Sequence, residues 1–248
     1  MESGKEETTD ADSREQFSEK LPSGNEVFDS LLDGGYEKGV VTALYGPAGS
    51  GKTTACLMAL VQGAMQKKAV FIDTEGGFSV ERLKLLTPDY EKVLERTLVY
   101  SPLDFSRQDK DISNLQHLGD KIGLVICDTI SSLYRAERGE DNAELNRELA
   151  REVAVLVELA RKKNIPVILT SQVYADFEDK TRINLVGGDI IRYSAKCLIE
   201  LQILNNKRVA ILRKHRYLPD KSMLFEIQGK GFLPVKAEKE KEKGFRIF

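Results

Sequence analysis

Apolar residues arrive along this 248-residue chain in two patterns, and their alternation predicts a fold. The first pattern is the short unbroken run: Val40-Val41-Thr42-Ala43-Leu44-Tyr45, Ala69-Val70-Phe71-Ile72, Leu124-Val125-Ile126-Cys127 and Pro166-Val167-Ile168-Leu169-Thr170. A strand that is apolar on both faces must be covered on both, so these runs predict interior strands of a parallel sheet. Thr97 to Tyr100 adds a shorter one. The second pattern is helical. Leu145, Leu149, Val153, Leu156 and Ala160 recur at three- and four-residue spacing between Ala143 and Lys163, with Glu and Arg on the other face. Thr54 to Met65 reads as another helix, and Gln108 to Leu118 as one beside a variable loop. Earlier, Asn25 or Ser23 can cap a short helix that turns Val27, Phe28, Leu31 and Leu32 inward and stops at Gly34-Gly35. Beyond Lys196 strands follow one another: Lys196 to Leu204, Val209 to Leu212 and Leu224 to Ile227. The expected class is α/β, a mostly parallel twisted sheet with helices on both faces and antiparallel strands at one edge.

Composition narrows this to one core with tails. At 41% hydrophobic content the chain can bury one good core and little more. Residues 1–20 are acid-rich and nearly free of apolar side chains, too few to offset the entropy of ordering them, so a disordered tail is expected there. Residues 21–235 are the expected core, and the Lys and Glu run that follows makes 236–248 a charged tail. A net charge of −2 argues against a generally basic nucleic-acid protein, so any DNA binding must come from local patches or from assembly of several copies. Cys56, Cys127 and Cys197 lack C-x-x-C spacing and read as small buried apolar residues. With no apolar stretch of membrane-spanning length and no N-terminal signal pattern, the expectation is a soluble cytoplasmic protein without a membrane partner.

The candidate chemistry sits where the first strand ends. Gly46-Pro47-Ala48-Gly49-Ser50-Gly51-Lys52-Thr53 fits the phosphate-loop pattern G-x-x-x-x-G-K-[ST] between a buried strand and a helix, and Thr54 continues it. The glycines let backbone N–H groups turn toward phosphates, and the helix N-terminus adds partial positive charge. Lys52 would meet the β- and γ-phosphates of ATP, and Thr53 would offer its hydroxyl to Mg²⁺. The bland alternative is a glycine-rich turn with no ligand. Asp73-Thr74-Glu75 follows the next strand at the edge where open parallel sheets bind ligands. Glu75 is the candidate to activate water, against the alternative of a carboxylate capping the next helix. Asp128, at the end of the run that starts at Leu124, occupies the Walker-B position, where Mg²⁺ would balance a buried charge.

Further stretches add a resemblance. Phe28-Asp29-Ser30-Leu31-Leu32-Asp33-Gly34-Gly35, Ile72-Asp73-Thr74-Glu75-Gly76 with Phe78 and Glu81-Arg82-Leu83, Ser171-Gln172-Val173 and Gly187-Gly188-Asp189-Ile190-Ile191 occur in the order of the RecA/RadA recombinase family. From about Leu21 to Phe232 the chain resembles the ATPase core of that family, and most closely its short archaeal paralogues of RadA. The resemblance implies a RecA-like core with Gln172 as the switch that reports the γ-phosphate to a DNA loop. It implies a first DNA-binding loop from Arg135 to Arg147 and a second from Tyr174 to Val186, with Arg135, Arg138, Arg147, Lys180 and Arg182 as contacts to single-stranded or branched DNA. By residues alone the second loop is weak, since Asp176, Glu178 and Asp179 oppose its two cations, and plain surface loops remain the alternative. Full archaeal recombinases carry an N-terminal helical DNA-binding domain and a Phe-x-x-Ala element; here Phe17 is followed by Ser18-Glu19-Lys20, which argues against filament formation. The implied role is an accessory protein of recombination and repair that hydrolyses ATP slowly, does not exchange strands, and acts with RadA or a Holliday-junction resolvase, with nucleotide-dependent self-association left open.

The most basic stretch, Asn205 to Leu218, holds Lys207, Arg208, Arg213, Lys214 and Arg216 without an acid. If its strand continues, Lys214 and Arg216 share a face and His215 takes the other. The K-x-[KR] pair resembles the trans-acting pair of bacterial RecA and clock-type ATPases, which touches a neighbour's γ-phosphate; a DNA phosphate site and a solvated edge strand are the alternatives. Two other classes share the phosphate loop: a ring motor or signalling ATPase, and an adaptor in which ATP only gates partner binding.

Overall fold

The computed structural model describes residues 19–175, 183–205 and 207–235. Along the chain run β1 (Lys20–Leu21), α1 (Glu26–Leu32), β2 (Tyr36–Glu37), β3 (Val41–Tyr45), α2 (Lys52–Gln66), β4 (Lys68–Asp73), α3 (Val80–Leu86), α4 (Tyr90–Glu95) and β5 (Thr97–Tyr100). Then come α5 (Phe105–Asn114), β6 (Ile122–Asp128), α6 (Ser132–Glu137), α7 (Ala143–Lys163), β7 (Val167–Ser171), β8 (Val173–Ala175), β9 (Ile183–Leu185) and α8 (Gly188–Ser194). The described residues finish with β10 (Cys197–Leu204), β11 (Lys207–Lys214), β12 (Lys221–Gln228) and β13 (Gly231–Pro234).

Among the described residues nine strands form one sheet in the order β13-β12-β11-β10-β3-β7-β6-β4-β5. Pairing is parallel from β10 to β5 and antiparallel from β10 outward to β13, as the helix-free final stretch predicts. The unbroken apolar runs work because successive side chains face opposite sides of a strand. Ala69 and Phe71 of β4 point into one layer with α1 and α2, while Val70 and Ile72 point into the other with α5 and α7. In the second layer four of the five predicted stripe residues of α7, Leu149, Val153, Leu156 and Ala160, are fully buried, and Leu145 is partly buried against them.

Local signals fix several boundaries. Asn25 caps α1 by accepting the Val27 N–H at 2.9 Å, and its amide donates to the Phe232 carbonyl at 2.6 Å, tying the first helix to the last strand. Gly35 has φ 127°, and a Cβ there would sit 2.2 Å from the Leu21 carbonyl oxygen, so the chain turns closely under β1 only as glycine.

Two expectations need correction. The loop expected from Arg135 to Arg147 is mostly helix: Arg135 lies in α6 and Arg147 in α7. The apolar anchor is Tyr134, buried and edge-on to Phe105 with ring centroids 6.0 Å apart, which draws α6 onto the core. Residues 19 and 20, expected in the tail, are tied to the core: Lys20 pairs with Glu37 in the β1–β2 ladder and Glu19 meets Lys38 at 2.7 Å. Phe17, Lys180 and Arg182, most of the N-terminal tail and the whole C-terminal tail lie outside the described residues. Among the described residues no helix is long and apolar enough to cross a membrane.

Candidate functional site

The carboxyl ends of β3, β4, β6 and β7 converge, and each delivers one part of a polar site. β3 leads into Gly46, where a Cβ would lie 2.1 Å from the Leu201 carbonyl oxygen of β10, so only glycine lets the loop leave the sheet so closely. Gly49 and Gly51 take φ of 74° and 109°, the left-handed values that the pattern asks of glycine. α2 starts at Lys52 with no side-chain cap, which leaves its first N–H groups and its dipole for an anion.

The Lys52 ammonium is buried and donates to the loop's own carbonyls, Gly46 at 2.8 Å and Pro47 at 2.9 Å. Burial pulls its pKa below the usual lysine value, and the nearby charges of Asp128 and Glu75 oppose that. Ser50 is fully buried, and its hydroxyl has no hydrogen-bond partner among the described residues. A buried cation, an orphaned hydroxyl and an uncapped helix start fit a phosphate chain.

Asp128 ends β6 with both oxygens engaged. Thr53 donates to Oδ2 at 2.6 Å, and Thr170 of β7 donates to Oδ1. Burial raises its pKa, while these two hydroxyls lower it. A buried carboxylate beside a phosphate-loop threonine suits a hard cation such as Mg²⁺. Gly77 crowds the same place: a Cβ there would be 3.2 Å from Thr53 Cγ2.

Glu75 is exposed at the site's mouth, and its Oε1 accepts two bonds, from Gln172 Nε2 at 2.7 Å and from Thr129 Oγ1 at 3.2 Å. It caps no helix; the cap of α3 is Ser79, which accepts the Arg82 N–H. Its backbone is set from behind. Asp73 accepts the N–H groups of Gly77 at 2.9 Å and Phe78 at 3.0 Å, and Thr74 exchanges two 2.8 Å bonds with the Thr129 backbone. Sequence reasoning missed Asp73 in this supporting role, although its place two residues before a strand-end Glu and four before a glycine is a turn signal. The site therefore gathers Lys52, Thr53, Asp128, Glu75 and Gln172 from four segments: the start of α2, the end of β6, and the turns after β4 and β7.

The basic residues go elsewhere. Arg135 donates through Nη1 to Gln172 Oε1 at 3.2 Å, so it joins the site rather than a loop tip. The Arg138 guanidinium sits 5.9 Å from the Tyr134 ring, and Arg147 pairs with Glu144 at 2.7 Å along α7. Lys214 and Arg216 do not project together as expected. Lys214 Nζ donates to the Arg192 and Ala195 carbonyls at the end of α8, both at 2.8 Å, and Arg216 donates to Glu37 at 2.6 Å. His215, expected on the opposite face, also turns to Glu37, at 3.8 Å. β11 ends at Lys214, so strand alternation no longer governs the residues after it. Because β11 runs antiparallel to β10, Lys214 stands opposite Leu198, at the sheet edge away from this chain's own phosphate loop. Arg208 of that stretch does reach the loop, where its Nη2 donates to the Gly49 carbonyl at 3.4 Å. Sequence spacing alone could have found it only by recognising the β10–β11 hairpin turn.

Residues 14–234 match the family model described as Rad51. A curated relative from Methanobrevibacter smithii, "DNA repair and recombination protein RadB", is 36% identical over 225 residues, covering 86% of this chain and 95% of the relative. One of the same description from Thermococcus kodakarensis is 39% identical and covers 83% and 94%. The solved "Crystal structure of the RadB recombinase" superposes with a TM-score of 0.76 at 38% identity, covering 87% of this chain and all of that one. The fold is RecA-like, with the mostly parallel sheet and antiparallel edge described above.

Proposed function

The chain belongs to the Rad51 family, and from that premise we propose that it is an accessory protein of DNA repair and homologous recombination. In this reading it is cytoplasmic, binds ATP with Mg²⁺, hydrolyses it slowly, binds DNA weakly without sequence preference, and has no strand exchange of its own. The observation that carries the reading is the convergence of Lys52, Thr53, Asp128, Glu75 and Gln172 at one sheet edge. The relatives' description as DNA repair and recombination proteins supplies the biological setting. When bound, ATP and Mg²⁺ supply the scissile phosphoanhydride and the divalent charge that stabilises its cleavage.

The residues divide the remaining work. Gly46, Pro47, Ala48, Gly49, Ser50, Gly51 and Thr54 frame the phosphates, and Lys52 exchanges its loop carbonyls for phosphate oxygens. Thr53 and Asp128 hold the cation, and Glu75 takes the proton of the attacking water. Slow turnover follows from a resting arrangement in which Glu75 is already bonded to Gln172 and Thr129 and must be released before it can act. DNA would meet Arg135 and Arg138, with Arg147, Lys180 and Arg182 extending the track. RadA or a Holliday-junction resolvase is the partner class that the reading favours.

The test is ATP turnover and oligonucleotide binding measured together on the full chain, with and without RadA. The expected result is slow Mg²⁺-dependent hydrolysis with salt-sensitive DNA affinity from a monomer or dimer. A nucleotide-dependent hexamer would select a ring ATPase, and tight ATP binding with undetectable turnover would select an ATP-gated adaptor.

A further inference from the structure

Arg135 links the proposed water-activating carboxylate to the proposed DNA face. Gln172 has two chemically different ends, and the structure uses both: Oε1 accepts from Arg135 Nη1 at 3.2 Å, while Nε2 donates to Glu75 Oε1 at 2.7 Å. A neutral amide can turn over and offer either end to a neighbour. Anchoring the oxygen on a guanidinium removes that freedom and commits the N–H end to the carboxylate. Thr129 then adds its hydroxyl to the same Glu75 oxygen at 3.2 Å. A chain of side chains thus runs from α6 through the residue after β7 to the residues after β4.

We infer that Arg135 is a positioning residue whose guanidinium is contested between the Gln172 amide and a nucleic-acid phosphate, so that strand binding frees the amide now clamped on Glu75. This rests on the functional reading above and gives it a regulatory link. Arg135 is exposed on a short helix, so a backbone phosphate can reach it without displacing the core. A backbone phosphate carries a full negative charge and can take two parallel bonds from the guanidinium, where the neutral amide oxygen takes one, so the phosphate wins the contest. The competition must also run the other way, because coupling between two binding events is reciprocal. Removing the amide should leave Arg135 free and improve strand binding even when no nucleotide is present.

The experiment is therefore a binding one. A fluorescein-labelled oligo-dT strand is titrated by anisotropy with the nucleotide-free full chain at several salt concentrations, using wild type, Gln172→Ala, Arg135→Ala and the double variant. Gln172→Ala is expected to bind about two- to fivefold more tightly than wild type, the worth of one ordinary hydrogen bond released. Arg135→Ala is expected to bind more weakly and to lower the slope of log affinity against log salt by about 0.7, one single-strand phosphate contact. In the Arg135→Ala background the second substitution should change nothing. Should Arg135→Ala melt early, Arg135→Gln replaces it in the same cycle. An unchanged or weaker affinity for Gln172→Ala, or a gain that persists without Arg135, overturns the link while leaving the broader function standing. If wild type fails to bind the strand at all, the DNA reading falls and this one with it.

Discussion

The two edges of the central sheet carry similar cations in opposite circumstances. At the carboxyl edge Lys52 is buried, donates to its own loop's carbonyls and lies near the charges of Asp128 and Glu75, and the Ser50 hydroxyl has no hydrogen-bond partner among the described residues. At the other edge Lys214 terminates α8 and Arg216 neutralises Glu37, whose side chain is 2% exposed. A buried cation that only loop carbonyls hydrogen-bond, at the uncapped start of a helix, fits an anion, whereas a cation already paired with a buried carboxylate explains itself. The pattern K-x-R cannot make this distinction, because Glu37 is 179 residues away in sequence.

The largest effects should therefore come from the open edge and be seen in function. Lys52→Ala is expected to lower ATP affinity and turnover by at least about 10²–10³-fold, the cost of losing one preorganised charge contact, while leaving the melting temperature unchanged or higher. Isothermal titration and a thermal melt check both. Turnover near the wild-type value would return the loop to a glycine-rich turn. Glu75→Gln should keep ATP binding and slow hydrolysis by about 10²–10⁴-fold, since the amide still bonds Thr129 but cannot take a proton. Equal rates for the two proteins would remove Glu75 from the chemistry.

At the closed edge the same kind of change should appear in stability. Arg216→Ala removes one ion pair from the buried Glu37 carboxylate, and the nearby His215, whose pKa burial pulls below its ordinary value, is a poor replacement charge. The expected loss is about 1–3 kcal/mol in chemical denaturation, with ATP binding intact. Stability equal to wild type would free Arg216 for a role outside its own chain.

A third buried polar group calibrates the comparison, being neither open to ligand nor paired with a cation. Glu152 of α7 lies beneath the sheet, and Gln108, donating to it at 2.7 Å, also donates to the Ile130 carbonyl at 3.1 Å. Burial pushes the Glu152 carboxyl up to about 9, so it is neutral in the folded state near pH 7, while unfolding lets it ionise near 4.5. The folded state then binds more protons across that window, and stability falls as pH rises through it. Glu152→Gln should remove this slope, so the gap in melting temperature in the mutant's favour widens from pH 6 to pH 8.5. Parallel pH profiles would refute the protonated carboxyl.

Much of this was legible in the sequence, for a physical reason that also marks where it stopped. Runs apolar on both faces fixed β3, β4, β6 and β7, and the motif at Gly46 to Thr53 fixed its own backbone through glycine, so the strand-end residues were found in place. α7 runs from Ala143 to Lys163 as its stripe predicts. What failed depended on distant contacts. Arg135 left the expected loop because Tyr134 packs on Phe105, and Lys214 left the expected face because α8 offered its terminal carbonyls. β13 and the short β1–β2 pair were missed because single edge strands need few apolar residues and take their pairing from neighbours.

The smallest predicted effect decides the most contested residue. Lys214 donates to two carbonyls that α8 leaves unpaired at its end, and its cation also complements the helix dipole there. Burial and the neighbouring Lys196 charge both pull its pKa below the usual lysine value, so the site weakens its proton while using its hydrogen bonds. A local cap of this kind on a seven-residue surface helix is worth about 0.5–1 kcal/mol, so Lys214→Ala should lower the melting temperature slightly and increase amide exchange in α8. Turnover per molecule should stay the same in wild type and variant from low to high protein concentration, because the cation is occupied within its own chain. If wild-type turnover rises with concentration and the substitution abolishes that rise, Lys214 leaves its cap to reach a neighbour's γ-phosphate, where such a group is worth about 10³–10⁵ in rate. If instead only oligonucleotide affinity falls, with a shallower salt slope, the residue belongs to a DNA backbone site at this edge. A small stability loss with neither change assigns Lys214 to the helix end alone.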